Sequence, residues 1–353
     1  MRDRYFDTNT PKVAAVVCFY MSAALVMVFV NKVVLNGSPD LPLLFLLLQL
    51  LIAVLLLHVA AVFISRVEIP KLELETAKKL TPVILVNIIG LVFNTLCLRD
   101  VEASFFQIAR GLVLPLTIIV SSVHTRSKPS TRVVIAAVTV AVGFLVGVAP
   151  STMVPANVAP SGLSLLYGFL SSLFIAFHAV LIKSSLPYCN NSTIQLAYWT
   201  NLGSAIFLFP FVLLHKEPSI LEDLIHDSNW DGQVFLWGSI VTGLFGFLLC
   251  VAGLLSIKVT SPITHMFSSA ARSVIQTLLG VWLFRDIMTV NRAGSILVIM
   301  IGTIFYTWVK SSETALPPPR KDVDLEAVGN RKPDEHSEDD EVTVVFEEGR
   351  EKA

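Results

Sequence analysis

Carboxylates are nearly missing from the apolar stretches of this 353-residue chain, although it holds 27 aspartates and glutamates in all. They gather in connecting loops and in a C-terminal segment with an acidic run from Glu338 to Glu341. Coupling to protons or sodium usually uses acids inside the membrane, so neither is expected. Cysteine is scarce as well. Cys18, Cys97, Cys189 and Cys250 show no CxxC or other metal spacing, and three of them lie in apolar segments. That argues against a zinc site and against a disulfide framework. There is no HExxH and no pair of embedded aspartates. Ser268 and His265 stand three residues apart on one helix, a poor arrangement for a nucleophile and its base, so an intramembrane enzyme is not expected. No metal or other cofactor is expected either. The first apolar segment has no small-residue cleavage site and ends in Asn31-Lys32, so it reads as a retained membrane helix.

What the chain does have is oil. Hydrophobic residues make up 54% of it and charged residues only 15%, which is the composition of an integral membrane protein. Runs long enough to cross a bilayer fall at 13–34, 41–64, 81–98, 103–123, 132–149, 162–182, 193–215, 234–257, 264–284 and 290–309. The expected fold is therefore an all-α polytopic membrane protein of about ten transmembrane helices. The joins at 99–102 and 258–263 are short, but fusing spans there would give helices far longer than a bilayer is thick. Residues 1–12 form an N-terminal tail. Residues 312–353, with Pro317-Pro318-Pro319, carry no apolar periodicity and read as a disordered acidic tail.

Basic residues suggest an orientation. With both termini cytosolic, the cytosolic short loops hold Arg66, Lys71, Lys78, Lys79, Arg126, Lys128, Arg132, Lys183 and Lys258, against Arg99, Lys216, Arg285 and Arg292 on the other side. The acidic loop at 216–233 is then lumenal. The overlapping sequons at Asn190 and Asn191 are cytosolic and expected to stay unglycosylated, and the one at Asn36 lies too close to the membrane.

The functional signal is a pair of cations. Span nine, THMFSSAARSVIQTLLGVWLF, places Arg272 near its centre, and His265, Ser268, Ser269 and Gln276 share its face at helical spacing. Span four, ASFFQIARGLVLPLTIIVSSV, places Arg110 at the matching depth with Gln107, Thr117 and Ser121. A bare arginine at such a position costs roughly 3 kcal/mol on insertion scales, so each needs a counter-charge or water. Fixed anions are scarce; Asp100 and Glu102 lie only at the mouth of span four. A mobile anion is the natural partner, and the planar guanidinium fork suits phosphate. Ten spans divide as five plus five, residues 13–149 and 150–311. As inverted repeats around a central cavity, they would bring spans four and nine together near the midplane.

Other embedded polar residues allow two readings. Asn87, Gly90, Asn94 and Cys97 share a face of span three and either pack against neighbours or wall a cavity. Lys32 either snorkels to the interface or joins Asn31 at the site. His58 and His178 read as packing residues. So do the small residues Thr139, Gly143 and Gly147 of span five, and Gly243, Gly246, Cys250 and Gly253 of span eight. Pro115 and Pro210 are expected to kink spans four and seven.

Several runs carry a resemblance: Val28-Phe29-Val30-Asn31-Lys32, then Gly243-Leu244-Phe245-Gly246-Phe247 with Ile257 to His265, and more loosely Phe105 to Arg110 and Gly302 to Val309. Over about residues 13 to 311 the chain resembles the nucleotide-sugar and triose-phosphate transporters of the drug/metabolite transporter superfamily, most of all the GDP-fucose transporters of the Golgi. The resemblance implies ten helices and entry of a nucleotide sugar into the lumen in exchange for a nucleoside monophosphate. It allows a homodimer, excludes nucleic acid as a partner, and offers sugar phosphates or phosphoenolpyruvate as the alternative cargo. GDP-sugar relatives read the base with Phe-Tyr-Asn-Asn in helix seven; here Tyr198-Trp199-Thr200-Asn201 stands there, keeping the final Asn and the aromatic character. Their helix-nine motif combines Gly and Lys; here Ser269-Ala270-Ala271-Arg272 keeps the charge and lacks the Gly. The site implied is Arg272 and Arg110 on phosphate, Tyr198, Trp199 and Asn201 on the base, and Asn31, Lys32, His265, Ser269 and Gln107 around them.

Overall fold

A computed structural model describes the backbone of residues 10–64, 67–149, 160–259 and 262–315. Side chains at 250–271 lie outside the described set, as does all of the expected tail beyond 315. Contacts define one compact unit over Met1–Glu313.

The described residues are helical throughout their regular structure. The helices are α1 (Thr10–Gly37), α2 (Pro42–Phe63), α3 (Leu74–Asp100), α4 (Ala103–Gly111), α5 (Val113–Thr125), α6 (Thr131–Val148), α7 (Gly162–Ser185), α8 (Thr193–Leu214), α9 (Glu217–His226), α10 (Gly232–Val259), α11 (Pro262–Phe284) and α12 (Val290–Ala315). Each of the ten expected spans lies on this helical framework. Among the described residues, nine spans are long and apolar enough to cross a membrane, and Arg272–Phe284 is the described apolar part of α11.

Two elements depart from the expectation. Span four, Ala103–Thr125, is interrupted at one residue into α4 and α5, and that residue, Leu112, itself keeps right-handed helical angles. The cause is legible in covalent terms. Pro115 has no N–H for the carbonyl four residues back, and that residue is Gly111. α12 also presses on Gly111: a Cβ there would lie 2.8 Å from Ile299 Cδ1. Span seven, by contrast, continues as α8 through Pro210. The second departure is α9, a ten-residue helix inside the acidic 216–233 loop. Its first residue, Glu217, is buried and accepts from the amides of Leu43 (3.2 Å) and Leu44 (2.5 Å), so it satisfies free N–H groups at the start of α2. Burial pushes the Glu217 carboxyl above its ordinary range, and these two amide bonds pull it back.

Helix pairing follows a pattern. The most extensive pairings are α3 with α7 and α1 with α10, followed by α2 with α10 and α8, α5 with α7, α3 with α8, α4 with α11, α4 with α7, and α1 with α11. Exchanging spans one to five with spans six to ten maps these pairings onto one another. Small residues set the close approaches. Gly143 and Gly147 of α6 face Ile299 and Ser295 of α12, and Gly243 of α10 faces Ile52 of α2. A Cβ on Gly143 would sit 2.9 Å from Ile299 Cγ1 and 3.1 Å from its backbone nitrogen. Gly143→Ala is expected to cost about 1–3 kcal/mol by overpacking, read as a lower melting temperature in nanodiscs.

The end of the bundle where α1 finishes, here the distal end, holds part of the buried core. Phe105, Phe106, Ile108, Leu35, Leu41, Phe45 and Leu98 form a buried cluster there. Polar groups lock its rim. Lys32 Nζ donates to the carbonyls of Leu98 (2.9 Å) and Arg99 (3.1 Å) at the end of α3. Arg292 of α12 pairs with Glu102 and also donates to the Ile287 carbonyl at 2.7 Å. The other Glu102 oxygen accepts from the Ile287 amide at 3.0 Å. Asp286 Oδ2 accepts from the Ser104 amide at 2.8 Å, and burial pushes that carboxyl upward. The start of α4 is thus bolted to the turn between α11 and α12.

Candidate functional site

α4 and α11 pack against each other, and that contact joins the two embedded arginines. Arg110 sits on the last turn of α4, just before the break. Arg272 lies on α11, within electrostatic range of it. Both line the same two cavities. Neither forms an ion pair with a carboxylate among the described residues: the acids at the mouth of span four are taken, Asp100 by Arg99 and Glu102 by Arg292. Arg110 rests over the Phe106 ring, 5.7 Å from its centroid. Arg272 Nε is buried and has no hydrogen-bond partner among the described residues. Two half-desolvated cations side by side, without fixed anions, form a place for a multiply charged anion.

The first cavity, about 380 Å³, is walled by α1, α3, α4, α7, α10 and α11. Tyr20 and Asn31 come from α1, Asn87 and Asn94 from α3, Phe106 from α4, and Phe174 and His178 from α7. Asn31 Oδ1 accepts from Gln49 at 3.0 Å, Asn87 donates to Ser204 Oγ at 3.1 Å, and Asn94 Oδ1 accepts from Ser171 at 3.4 Å. The second cavity, about 350 Å³, shares the arginine pair with the first and is walled by α4, α5, α11 and α12. Gln107, Thr117, Ser273, Thr303 and Tyr306 give it a hydroxyl-rich lining. A larger cavity, about 630 Å³, is elsewhere: a mainly apolar recess among α2, α3, α8 and α9 whose walls include neither Arg110 nor Arg272.

Of the residues singled out from sequence, Arg110, Arg272, Asn31 and Gln107 line these two cavities. Lys32 is buried and committed to the end of α3. The α8 group stands apart. Tyr198 packs edge-on to His58, Trp199 is buried with Leu80, Val83, Ile84 and Leu196, and Asn201 donates to Ala197 O; none lines either cavity. The helix that carries His265 and Ser269 is described, but their side chains lie outside the described residues. Asn87 and Asn94, left open by the sequence, His178, read as packing, and Tyr20, not singled out, are all cavity residues. The only available hint was that Asn87, Gly90 and Asn94 recur on one face of an apolar helix.

With this geometry in view, comparison with known proteins is informative. The profile of the triose-phosphate transporter family matches residues 12–307. The chain is 29% identical over 304 residues to GDP-fucose transporter 1 of Dictyostelium discoideum, covering 84% of this chain and 80% of that one. It is 32% identical over 309 residues to an uncharacterised transporter of Schizosaccharomyces pombe, covering 86% and 78%. A solved crystal structure aligns with a TM-score of 0.50 at 14% identity, over 83% of this chain and 98% of the other, a likeness of fold alone. A family profile that runs through all ten spans, over a bundle with a shared cationic centre, makes the chain a member of the triose-phosphate transporter family.

Proposed function

We propose that this protein is a secondary transporter that exchanges a nucleotide sugar for a nucleoside monophosphate. One observation carries the reading: the arginine pair is shared by two cavities whose other lining residues include no carboxylate, lysine or further arginine and combine apolar side chains with amides and hydroxyls. A nucleotide sugar has that charge pattern, a diphosphate in the middle and an uncharged polar group at each end. Relatives support the cargo class, being named GDP-fucose transporters in Dictyostelium discoideum, Nematostella vectensis and mouse. A Drosophila melanogaster relative is named for the Golgi, the membrane assigned here, with both termini cytosolic. The exchange runs by alternating access, residues 13–149 rocking against 150–311 as inverted five-helix repeats. The pairing pattern of the helices supports that division, because exchanging the halves preserves it. Sugar transfer from a nucleoside diphosphate sugar leaves the nucleoside diphosphate, and hydrolytic loss of one phosphate gives the monophosphate, so the returning cargo still carries a phosphate for the cationic centre.

The second reading, a translocator for sugar phosphates or phosphoenolpyruvate, draws on the family name. It would use the arginines and a single cavity. Proteoliposomes preloaded with GMP, UMP, CMP, AMP or inorganic phosphate separate the two. GDP-sugar uptake driven by GMP and not by phosphate is the expected result. Uptake driven by phosphate alone would select the second reading, and no exchange with any nucleotide would remove the first.

A further inference from the structure

We infer that the recess among α2, α3, α8 and α9 holds one phospholipid with a zwitterionic headgroup, an acyl chain lying along α3 and the phosphate at Arg99. The site lies apart from the arginine pair, so it stands or falls independently of the exchange reading. Its length is that of one leaflet. Leu85, Ile88, Ile89, Val92, Phe93 and Leu96 make an apolar stripe at three- and four-residue steps along α3. From Leu85 to Leu96 the stripe runs about 17 Å at the helical rise. Half of a hydrocarbon core roughly 30 Å thick is about the same. Leu43 of α2 and Leu208 of α8 are buried and floor the recess. Its margins are open: Ile89, Phe207 and Phe211 are 36%, 38% and 56% exposed, an apolar lip on the flank of the bundle.

The polar groups of the lining gather at one end. Asp40, Arg99, His215 and Glu217 stand where α3 and α8 finish and α2 begins. Tyr167 of α7 lies near that end and stacks on Phe93, a placing typical of aromatics close to the membrane surface. The charges there match a zwitterion. Arg99 spends Nε and Nη2 on Asp100, at 2.6 and 3.3 Å, while Nη1 reaches the Pro39 carbonyl at 3.5 Å. A contact of 3.5 Å is weak, so that nitrogen can donate to a phosphate. Asp40 is exposed, lies within electrostatic range of Arg99 and forms no ion pair among the described residues. It suits an ammonium. Glu217, held by the α2 amides, sets a second carboxylate in the lining against one guanidinium. An anionic headgroup would meet that excess unfavourably, and a headgroup carrying its own cation would not. The walls come from both halves of the chain, α2 and α3 before residue 149 and α8 and α9 after it, so a lipid in the recess ties them together.

The test uses the full-length protein stripped of lipid in detergent. Native mass spectrometry counts the lipids retained, and the melting temperature reads their effect. The probes are phosphatidylcholine, phosphatidylglycerol and diacylglycerol. Wild type is expected to retain one phosphatidylcholine, about tenfold more tightly than either of the others, and to melt higher with it. Arg99→Gln should weaken phosphatidylcholine about tenfold and leave diacylglycerol unchanged. Asp40→Asn should weaken phosphatidylcholine and strengthen phosphatidylglycerol, closing the gap between them. Val92→Trp fills the recess and should lose all three lipids. Arg99→Gln and Asp40→Asn decide the matter even where Val92→Trp fails to fold. Equal retention of the three lipids with no response to these variants would mean an unselective annulus and overturn the site. Preference for phosphatidylglycerol in the wild type would overturn it too. A dimer that becomes a monomer in Val92→Trp would give the recess to a second copy of the chain instead.

Discussion

Arg272→Ala is expected to abolish exchange while leaving the empty protein at least as stable as before. The two halves of that result come from one fact. Arg272 has no carboxylate partner among the described residues, and its Nε is buried without a hydrogen bond. Removing it from the empty carrier relieves a desolvated charge, so the melting temperature should hold or rise. Removing it from the loaded carrier takes away a charge-assisted contact to phosphate, worth about 2–5 kcal/mol when truncated in a desolvated setting. That is roughly 30-fold to several thousandfold in affinity. Arg272→Lys keeps the charge but not the fork, and should fall between the two. Arg110→Ala should behave alike, because Arg110 lines the same two cavities. The checks are exchange by proteoliposomes preloaded with GMP, and melting with and without GMP. Exchange at the wild-type rate in Arg272→Ala would remove the cationic centre from the mechanism.

The reverse signature belongs to Glu102. Arg292 is 3% exposed, and its guanidinium is held by Glu102 and the Ile287 carbonyl. Glu102→Ala leaves that buried cation with one carbonyl, which should cost about 3–5 kcal/mol. The Arg292→Leu change should cost less, because the side chain of Glu102 is 17% exposed and can draw on solvent. The double variant should recover most of the stability, since a buried pair replaced by apolar groups is often close to neutral. Thermal unfolding of the four proteins in nanodiscs closes the cycle. Additive losses would mean that the pair does not act as a unit. Arg272 and Arg292 are both embedded arginines in the second half of the chain, and their variants should move stability in opposite directions.

How far these features could be read from the chain depends on the distance over which each is determined. The spans were legible because twenty apolar residues in a row have one stable answer in lipid. The arginine centre was legible because two unpaired cations at matching depths are a cost that must be met somewhere. The Glu102–Arg292 bolt was not, because its partners lie 190 residues apart and each looks like an ordinary loop charge. Pro115 announced a disturbance in span four, but a kink and a break have the same local sequence; the crowding of Ile299 against Gly111 is tertiary. α9 was hidden in the composition of an acidic loop. Asn87 and His178 carry the deepest ambiguity, since a polar side chain facing a neighbouring helix and one facing a cavity obey the same periodicity. The Tyr198 run was placed at the base through resemblance. The structure puts these side chains among α2, α3 and α8 instead.

The interrupted fourth span has a mechanical meaning. α4 is a rod of nine residues, about 13 Å long, joined to α5 through Leu112 at one tip and fastened to the α11–α12 turn at the other. Arg110 rides on the jointed tip. A pull on that guanidinium would run along the rod to the fastening, and a loosened fastening would let the guanidinium swing. Grip and latch would then be one lever.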